Sequence, residues 1–301
     1  MAHNPKRLSR LRAVMGEQGI DVLYVRELSN ISWATGFERV FDDEPAHALV
    51  VSARNCVLHT DSRYFDAMKS AAADTDIEVD NSRMAHSAVL AQVSDCIDGD
   101  IVRVGIEDSM PLAEYHALQR TFEGRAIDLV ELSGFVEELR QVKDESEITA
   151  MRKAQSITDA AFANIIAFMK PGMTEREVQL QLDRYMYEGG AEGLAFGTIV
   201  ATGAHAASPH AIPGETKLAF GDAVVMDFGA RYAGYCSDMT RTVFVGEPSD
   251  EARRAYGAIR RANEECEAML RAGLSGADVH QHAEAVLELS LIHISEPTRH
   301  L

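Results

Sequence analysis

Basic residues are scarce. Lys and Arg number 29 against 47 Asp and Glu, giving a formal net charge of −18 and a pI near 5.0. Phosphate backbones are bound by basic surfaces that release counterions, so nucleic-acid binding is excluded and metal cations or small substrates fit better. Cysteine is also sparse: Cys56, Cys96, Cys236 and Cys266 lie far apart with no C-x-x-C pair. Neither a zinc site nor a disulfide framework is signalled, and a reducing cytoplasm is the expected location. No run approaches the ~18 apolar residues of a membrane span. The basic start MAHNPKRLSRLRAVMGEQG lacks the apolar stretch of a secretion signal behind it, so no export is expected. No internal repeat or low-complexity linker stands out.

What remains is ordinary globular material. Apolar residues make up 46% and charged residues 25%, the balance of a soluble protein. A length of 301 residues, at roughly 150 per domain, predicts two domains with real cores. In the first part a helix near Lys6 to Gln18 precedes apolar runs at Val22 to Val25, Ala48 to Val51 and Val57 to His59. Helical stretches near Ser62 to Ala72 and Ala85 to Ile97, a strand at Val102 to Ile106, a helix over Met110 to Thr121 and a strand at Ile127 to Leu132 continue the alternation. Such patterning predicts a layered α/β domain ending near Gly134. No cluster of catalytic residue types stands out in it; Asp61, Arg63 and Tyr64 could equally be a capped helix start, and the domain's expected role is structural or in oligomerisation.

A long helix is predicted after Lys143, where Asp144 and Glu147 have capping-box spacing and Ile148, Met151, Phe162, Ile165 and Phe168 recur at near-helical intervals. Lys170-Pro171-Gly172 ends it. Thr174 and Glu177 open a second helix with Val178, Leu182 and Tyr185 inward, closed by Gly189-Gly190. From Phe196 to Val245 the texture turns to strands and tight turns. A helix over Asp250 to Leu270 and an amphipathic piece from Ala277 follow.

Two constellations carry chemistry. The first is Gly221-Asp222-Ala-Val-Val-Met-Asp227-Phe-Gly229, then Arg231 to Tyr235, then Ser237-Asp238-Met-Thr240-Arg241-Thr242, a hairpin signal. A turn centred on Tyr232 and Ala233 makes Asp227 and Asp238 direct cross-strand partners. Like charges ~5 Å apart there are destabilising unless neutralised, and a cation is the natural neutraliser. Two ions ~3.5–4 Å apart fit such a pair. Thr240, on the same strand face as Asp238, is placed to orient its carboxylate. The plainer alternative makes Asp222 a turn residue, Asp227 a strand end and Asp238 a solvated partner of Arg241; a one-residue slip in register also defeats the metal reading. The second constellation is Thr198-Ile-Val-Ala-Thr-Gly203-Ala-His205-Ala-Ala-Ser-Pro209-His210-Ala-Ile-Pro213. Here His210, on a Pro-bounded loop, is placed to donate to a substrate carbonyl or oxyanion, or is simply a polar surface residue.

These segments together resemble the creatinase and Xaa-Pro peptidase family, whose catalytic domain has the M24-type pita-bread fold. The resemblance rests on Phe196 to Gly203, Ala206 to His210, Gly221 to Gly229 and Gly234-Tyr235-Cys-Ser-Asp238-Met-Thr-Arg-Thr242. It extends through Asp21-Val22-Leu23, Asn30 to Phe37, His59 to Tyr64 and Leu139 to Lys143. It implies an α/β creatinase-like N-terminal domain over 1–136, then an incomplete α+β pita-bread domain over 137–288. Asp227 and Asp238 become the first two metal ligands, with Thr240 behind them. His210 becomes the substrate-side histidine, catalytic and substrate-binding, and Tyr235 a further substrate contact. The implied activity is that of a metallo-exopeptidase, an Xaa-Pro aminopeptidase or dipeptidase. It splits the bond before proline with a hydroxide held by two divalent ions, manganese first with cobalt or zinc as alternatives. Proline-containing peptides are the implied substrates, and a homodimer the implied assembly.

The chain also departs from the family. A later Gly-His-Gly type segment, two glutamate ligands and a second active-site histidine are missing from it, and His280, His282, Glu284 and Glu288 fall on a predicted helix as a solvated face. The closing Leu289 to Leu301 resembles a translated sequencing-library adapter, a non-native tail. His205 stands in a loop position where many relatives carry Asn or another residue. The fragment is therefore expected to be inactive, with a weak two-carboxylate site and an unpaired sheet edge. The rivals are a metal-free creatinase-type C–N hydrolase and a non-catalytic peptide-binding module.

Overall fold

The computed structural model describes residues 5–37, 39–42 and 44–289; the adapter-like tail from residue 290 onward lies outside the described residues. Those up to Ala154, with Arg231–Cys236, form one compact unit, and Gln155–Ala230 with the residues from Ser237 form the other.

The first unit runs α1 (Pro5–Gln18), β1 (Val22–Val25), α2 (Leu28–Thr35), β2 (Ala48–Ser52), β3 (Cys56–His59), α3 (Phe65–Ala71), β4 (Glu78–Asp80), α4 (His86–Ser94), β5 (Val102–Glu107), α5 (Leu112–Thr121), β6 (Ile127–Leu132) and α6 (Phe135–Gln141). Its six strands lie in the order β4-β3-β2-β1-β5-β6. The β1–β2 and β2–β3 pairs are antiparallel; β1–β5, β5–β6 and β3–β4 are parallel. Strand residues point alternately to two cores, which is why β1 and β2 are apolar at consecutive positions. Leu23, Val25, Leu49 and Val51 meet α1, α2, α3 and α6 through Leu8, Leu11, Ile31, Met68 and Phe135. Val22, Tyr24, Ala48 and Val50 meet α4 and α5 through Val89, Leu90 and Leu118. Asp61 does not cap α3: it accepts from Arg63 N at 2.8 Å, and the helix begins at Phe65 after an uncapped Tyr64.

Helix α7 (Glu145–Phe168) opens with the expected box, Asp144 N donating to Glu147 Oε2 at 2.7 Å and Glu147 N to Asp144 Oδ1 at 3.0 Å. Its buried line is Ala150, Ala154, Ile157, Ala161 and Ile165; Ile165 is the one expected, Met151 is exposed instead, and the three alanines are small residues that a search for large apolar ones passes over. Helix α8 (Glu175–Glu188) has the full Thr174–Glu177 box and buries Val178, Leu182 and Met186; Tyr185 is only half-buried.

After β7 (Gly193–Leu194) come β8 (Ile199–Thr202), β9 (Ala223–Phe228), β10 (Ala230–Tyr232), β11 (Tyr235–Cys236), β12 (Met239–Phe244), α9 (Asp250–Met269) and α10 (Gly276–Leu289). Strand β9 is the centre of the antiparallel sheet β12-β9-β8. Its Val224, Met226 and Phe228 are fully buried, and the Phe228 ring stacks near Phe162, centroids 6.3 Å apart. Among the described residues no helix is long and apolar enough to cross a membrane.

Candidate metal centre

Burying Val224, Met226 and Phe228 turns the other face of β9, with Asp227, away from the core helix. The hairpin is one residue further along than the sequence spacing suggests. Tyr232 pairs with Tyr235, and the turn is Ala233–Gly234, at φ 50° and 77°. Two positive φ values in a two-residue loop define a type I′ turn, which glycine adopts freely and other residues resist. The same register continues outward, with Phe228 opposite Met239 and Asp227 opposite Thr240. Asp227 and Asp238 are therefore not direct partners; Asp238 falls across from Gly229. Side chains alternate with period two, so the correction keeps both aspartates on one face and makes them diagonal neighbours, ~7–8 Å apart by backbone. Thr240 lies directly across from Asp227, on that same face.

Asp227 is half-buried, whereas Asp238 and Thr240 are exposed. The Asp227 Oδ1 atom is closed to solvent and, among the described residues, has no hydrogen-bond partner. A buried carboxylate oxygen normally finds a donor or a cation, so the pair fits a hard divalent ion as far as it goes. Among the described residues no group of three or more His, Cys, Asp or Glu could hold a metal ion. The plainer reading holds for Asp222, which accepts from Ala219 N at 2.9 Å and Thr202 Oγ1 at 3.2 Å in its turn. Arg241 donates to the Thr240 carbonyl at 2.8 Å.

Beside the aspartates the backbone is pinned by a buried hydroxyl pair. Thr158 Oγ1 and Ser237 Oγ share a 2.6 Å hydrogen bond, and Ala230 N donates to Ser237 Oγ at 2.9 Å. Gly229 is required there, since a Cβ would fall inside the Ser237 carbonyl oxygen. Thr198 Oγ1 donates to Asp183 Oδ1 at 2.5 Å, tying the entry of β8 to α8; burial pushes the Asp183 carboxyl up.

His210 is exposed in the turn after Pro209, on the loop joining β8 to β9. Tyr235 belongs to the first unit, where its hydroxyl donates to Glu147 Oε1 at 2.7 Å; burial and that carboxylate raise its pKa. The late residues behave as a solvated face: His280 lies 3.4 Å from Glu284 and His282 3.0 Å from Glu265, all exposed or near-exposed. Sequence spacing passed over Glu175. It sits at the first turn of α8, 0% exposed, and His205 Nδ1 lies 2.8 Å from its Oε1. Only its position beside a capping threonine hinted at it.

Residues 7–142 match the creatinase/prolidase N-terminal domain, and residues 149–300 match metallopeptidase family M24. The chain belongs to family M24. An uncharacterized peptidase of Bacillus subtilis, YqhT, is 34% identical over 275 residues, 90% of this chain and 74% of that protein. A peptidase of Staphylococcus haemolyticus is 40% identical over 152 residues, 50% of this chain and 43% of that one. Among solved structures, an Xaa-Pro dipeptidase from Bacillus anthracis superposes with a TM-score of 0.83 at 31% identity, covering 94% of this chain and 77% of its own. An X-Pro aminopeptidase from Thermotoga maritima gives 0.80 at 30% identity, with 94% and 77% covered. The M24 chain thus has a creatinase-type N-terminal domain followed by pita-bread elements, as its motifs implied.

Proposed function

We propose that this M24 chain comes from a cytoplasmic peptidase that hydrolyses the peptide bond before proline, as an aminopeptidase or dipeptidase. The observation that carries the reading is the unpartnered, buried Oδ1 of Asp227 on the same sheet face as Asp238, in a chain similar to an Xaa-Pro dipeptidase. Asp227 and Asp238 would hold divalent metal, manganese by preference. Metal there would polarise the scissile carbonyl and make water acidic enough to act as nucleophile. Thr240, opposite Asp227, steadies the pair, while His210 donates from its loop to the substrate oxygen as charge develops. Tyr235 is the further substrate contact, reached only if its hydroxyl gives up Glu147. With two carboxylates gathered among its described residues, the 301-residue chain by itself is expected to bind metal weakly and to turn over poorly.

An assay of the protein with an Xaa-Pro dipeptide and a longer Xaa-Pro peptide, with and without Mn²⁺, tests this. Mn²⁺-dependent cleavage before proline, lost in Asp227→Asn and reduced in His210→Ala, is the expected result. Cleavage indifferent to metal, or none, would refute it.

A further inference from the structure

Glu175 is a buried carboxylate whose side-chain hydrogen-bond partners among the described residues all come from one loop. Thr202 N, at the end of β8, donates to Oε1 at 2.9 Å. Gly214 N, on the returning limb, donates to Oε2 at 3.1 Å. Between them His205 Nδ1 lies 2.8 Å from Oε1 and 2.9 Å from Oε2. An ionised carboxylate offers only lone pairs, so the contact is a hydrogen bond in the tautomer that carries its proton on Nδ1. The backbone repeats the grip: Glu175 N donates to Thr216 O at 3.0 Å and Arg176 N to Gly214 O at 3.1 Å. The segment held in this way contains His210.

The energetics make the grip specific to the loop. A carboxylate with 0% exposure is tolerated only while donors compensate its charge. A position in the first turn of α8 helps, because the positive end of the helix dipole favours negative charge there. The side-chain donors, however, lie 27, 30 and 39 residues away along the chain. Opening the loop would strand the charge, so burial of Glu175 and closure of the loop are one event.

We infer that Glu175 is a positioning residue that clamps the His210-bearing loop, with His205 as the side-chain arm of the clamp. It acts on the reaction through His210, and in that respect the inference rests on the peptidase reading above. The clamp itself is a property of this chain and is measured without turnover.

Hydrogen exchange on the 301-residue chain is the first arm. Glu175→Gln removes one acceptor and the charge, and the amides of residues 203–214 should then exchange roughly tenfold faster, the equivalent of one charge-assisted hydrogen bond. Those of β9 and the interior of α8 should keep their rates. His205→Ala, which leaves both backbone donors on the carboxylate, should speed the same amides by a smaller factor and keeps the test decisive if the Gln variant fails to fold. The second arm measures turnover of an Xaa-Pro dipeptide. Glu175→Gln should lower kcat more than it changes KM, and in a His210→Ala background it should have no further effect. Unchanged loop exchange in both variants, or effects of Glu175→Gln and His210→Ala that multiply, would overturn the clamp. Faster exchange in a protein whose wild type cleaves no Xaa-Pro peptide would support the clamp and overturn the peptidase reading.

Discussion

A carboxylate oxygen shut away from both water and a donor costs about 1–3 kcal/mol, and among the described residues Asp227 Oδ1 is in that position. Such a cost is retained where a ligand removes it in use. Asp227→Asn should therefore raise the stability of the metal-free chain by about 1 kcal/mol, read from the denaturant midpoint, while abolishing any stabilisation by added Mn²⁺. An unchanged or lowered midpoint would mean that the oxygen is satisfied in solution. In the N-terminal unit His86 has the largest histidine shift and contributes a pH dependence, beside the smaller downward shift that burial gives His47. His86 Nδ1 lies 2.6 Å from His59 Nδ1, and burial first, with the charges of Arg26, His59 and His47 after it, pushes the His86 pKa down to about 3. The unfolded chain takes up a proton near the ordinary value of 6.5 that the folded chain refuses. Stability is then complete above that value and is lost as the pH falls from about 6.5 toward 3. His86→Gln should flatten the midpoint between roughly pH 7.5 and 4.5; a wild-type midpoint already flat across that range would contradict the assignment.

At the scale of elements the hairpin gives two opposite predictions. Gly229→Ala places a Cβ into the Ser237 carbonyl and should cost at least about 3 kcal/mol, seen as a fall in thermal midpoint with loss of the β9–β12 amide protection. Ala233→Asn at φ 50° supplies the side chain that type I′ turns favour and should stabilise by about 0.5 kcal/mol. The same hairpin shows what was legible in the sequence and why. Its existence and its shared aspartate face were legible, because side-chain alternation survives a shift in turn centre. Its register was not, because that depends on which two residues take positive φ. Helices α7 and α8 were legible through capping boxes, which are local. Helix α2 was not: its eight residues carry local caps at Glu27 and Gly36, but it is short, and its Asn30 Nδ2 donates to Glu107 at 2.7 Å and Glu137 at 2.6 Å across long separations. The short β4 and α6 escaped for want of a period. Glu175 was invisible because the groups that explain its burial lie far away in the chain.

On the scale of the whole molecule, acidity and the metal reading belong together. A net charge of −18 attracts divalent cations to the surface and repels polyanions, so nonspecific metal association must be separated from binding at the hairpin. On the proposed reading, two carboxylates on one sheet face, with Thr240 opposite Asp227, would make an open site to which water must bring most of the ligands. The most direct measurement is a Mn²⁺ titration of the 301-residue chain followed by the EPR signal of the free ion, repeated with Asp227→Asn and Asp238→Asn. The account predicts a dissociation constant on the order of 0.1–1 mM for the wild type, and loss of that binding in each variant. Binding that survives both substitutions would place the metal elsewhere and contradict the central claim.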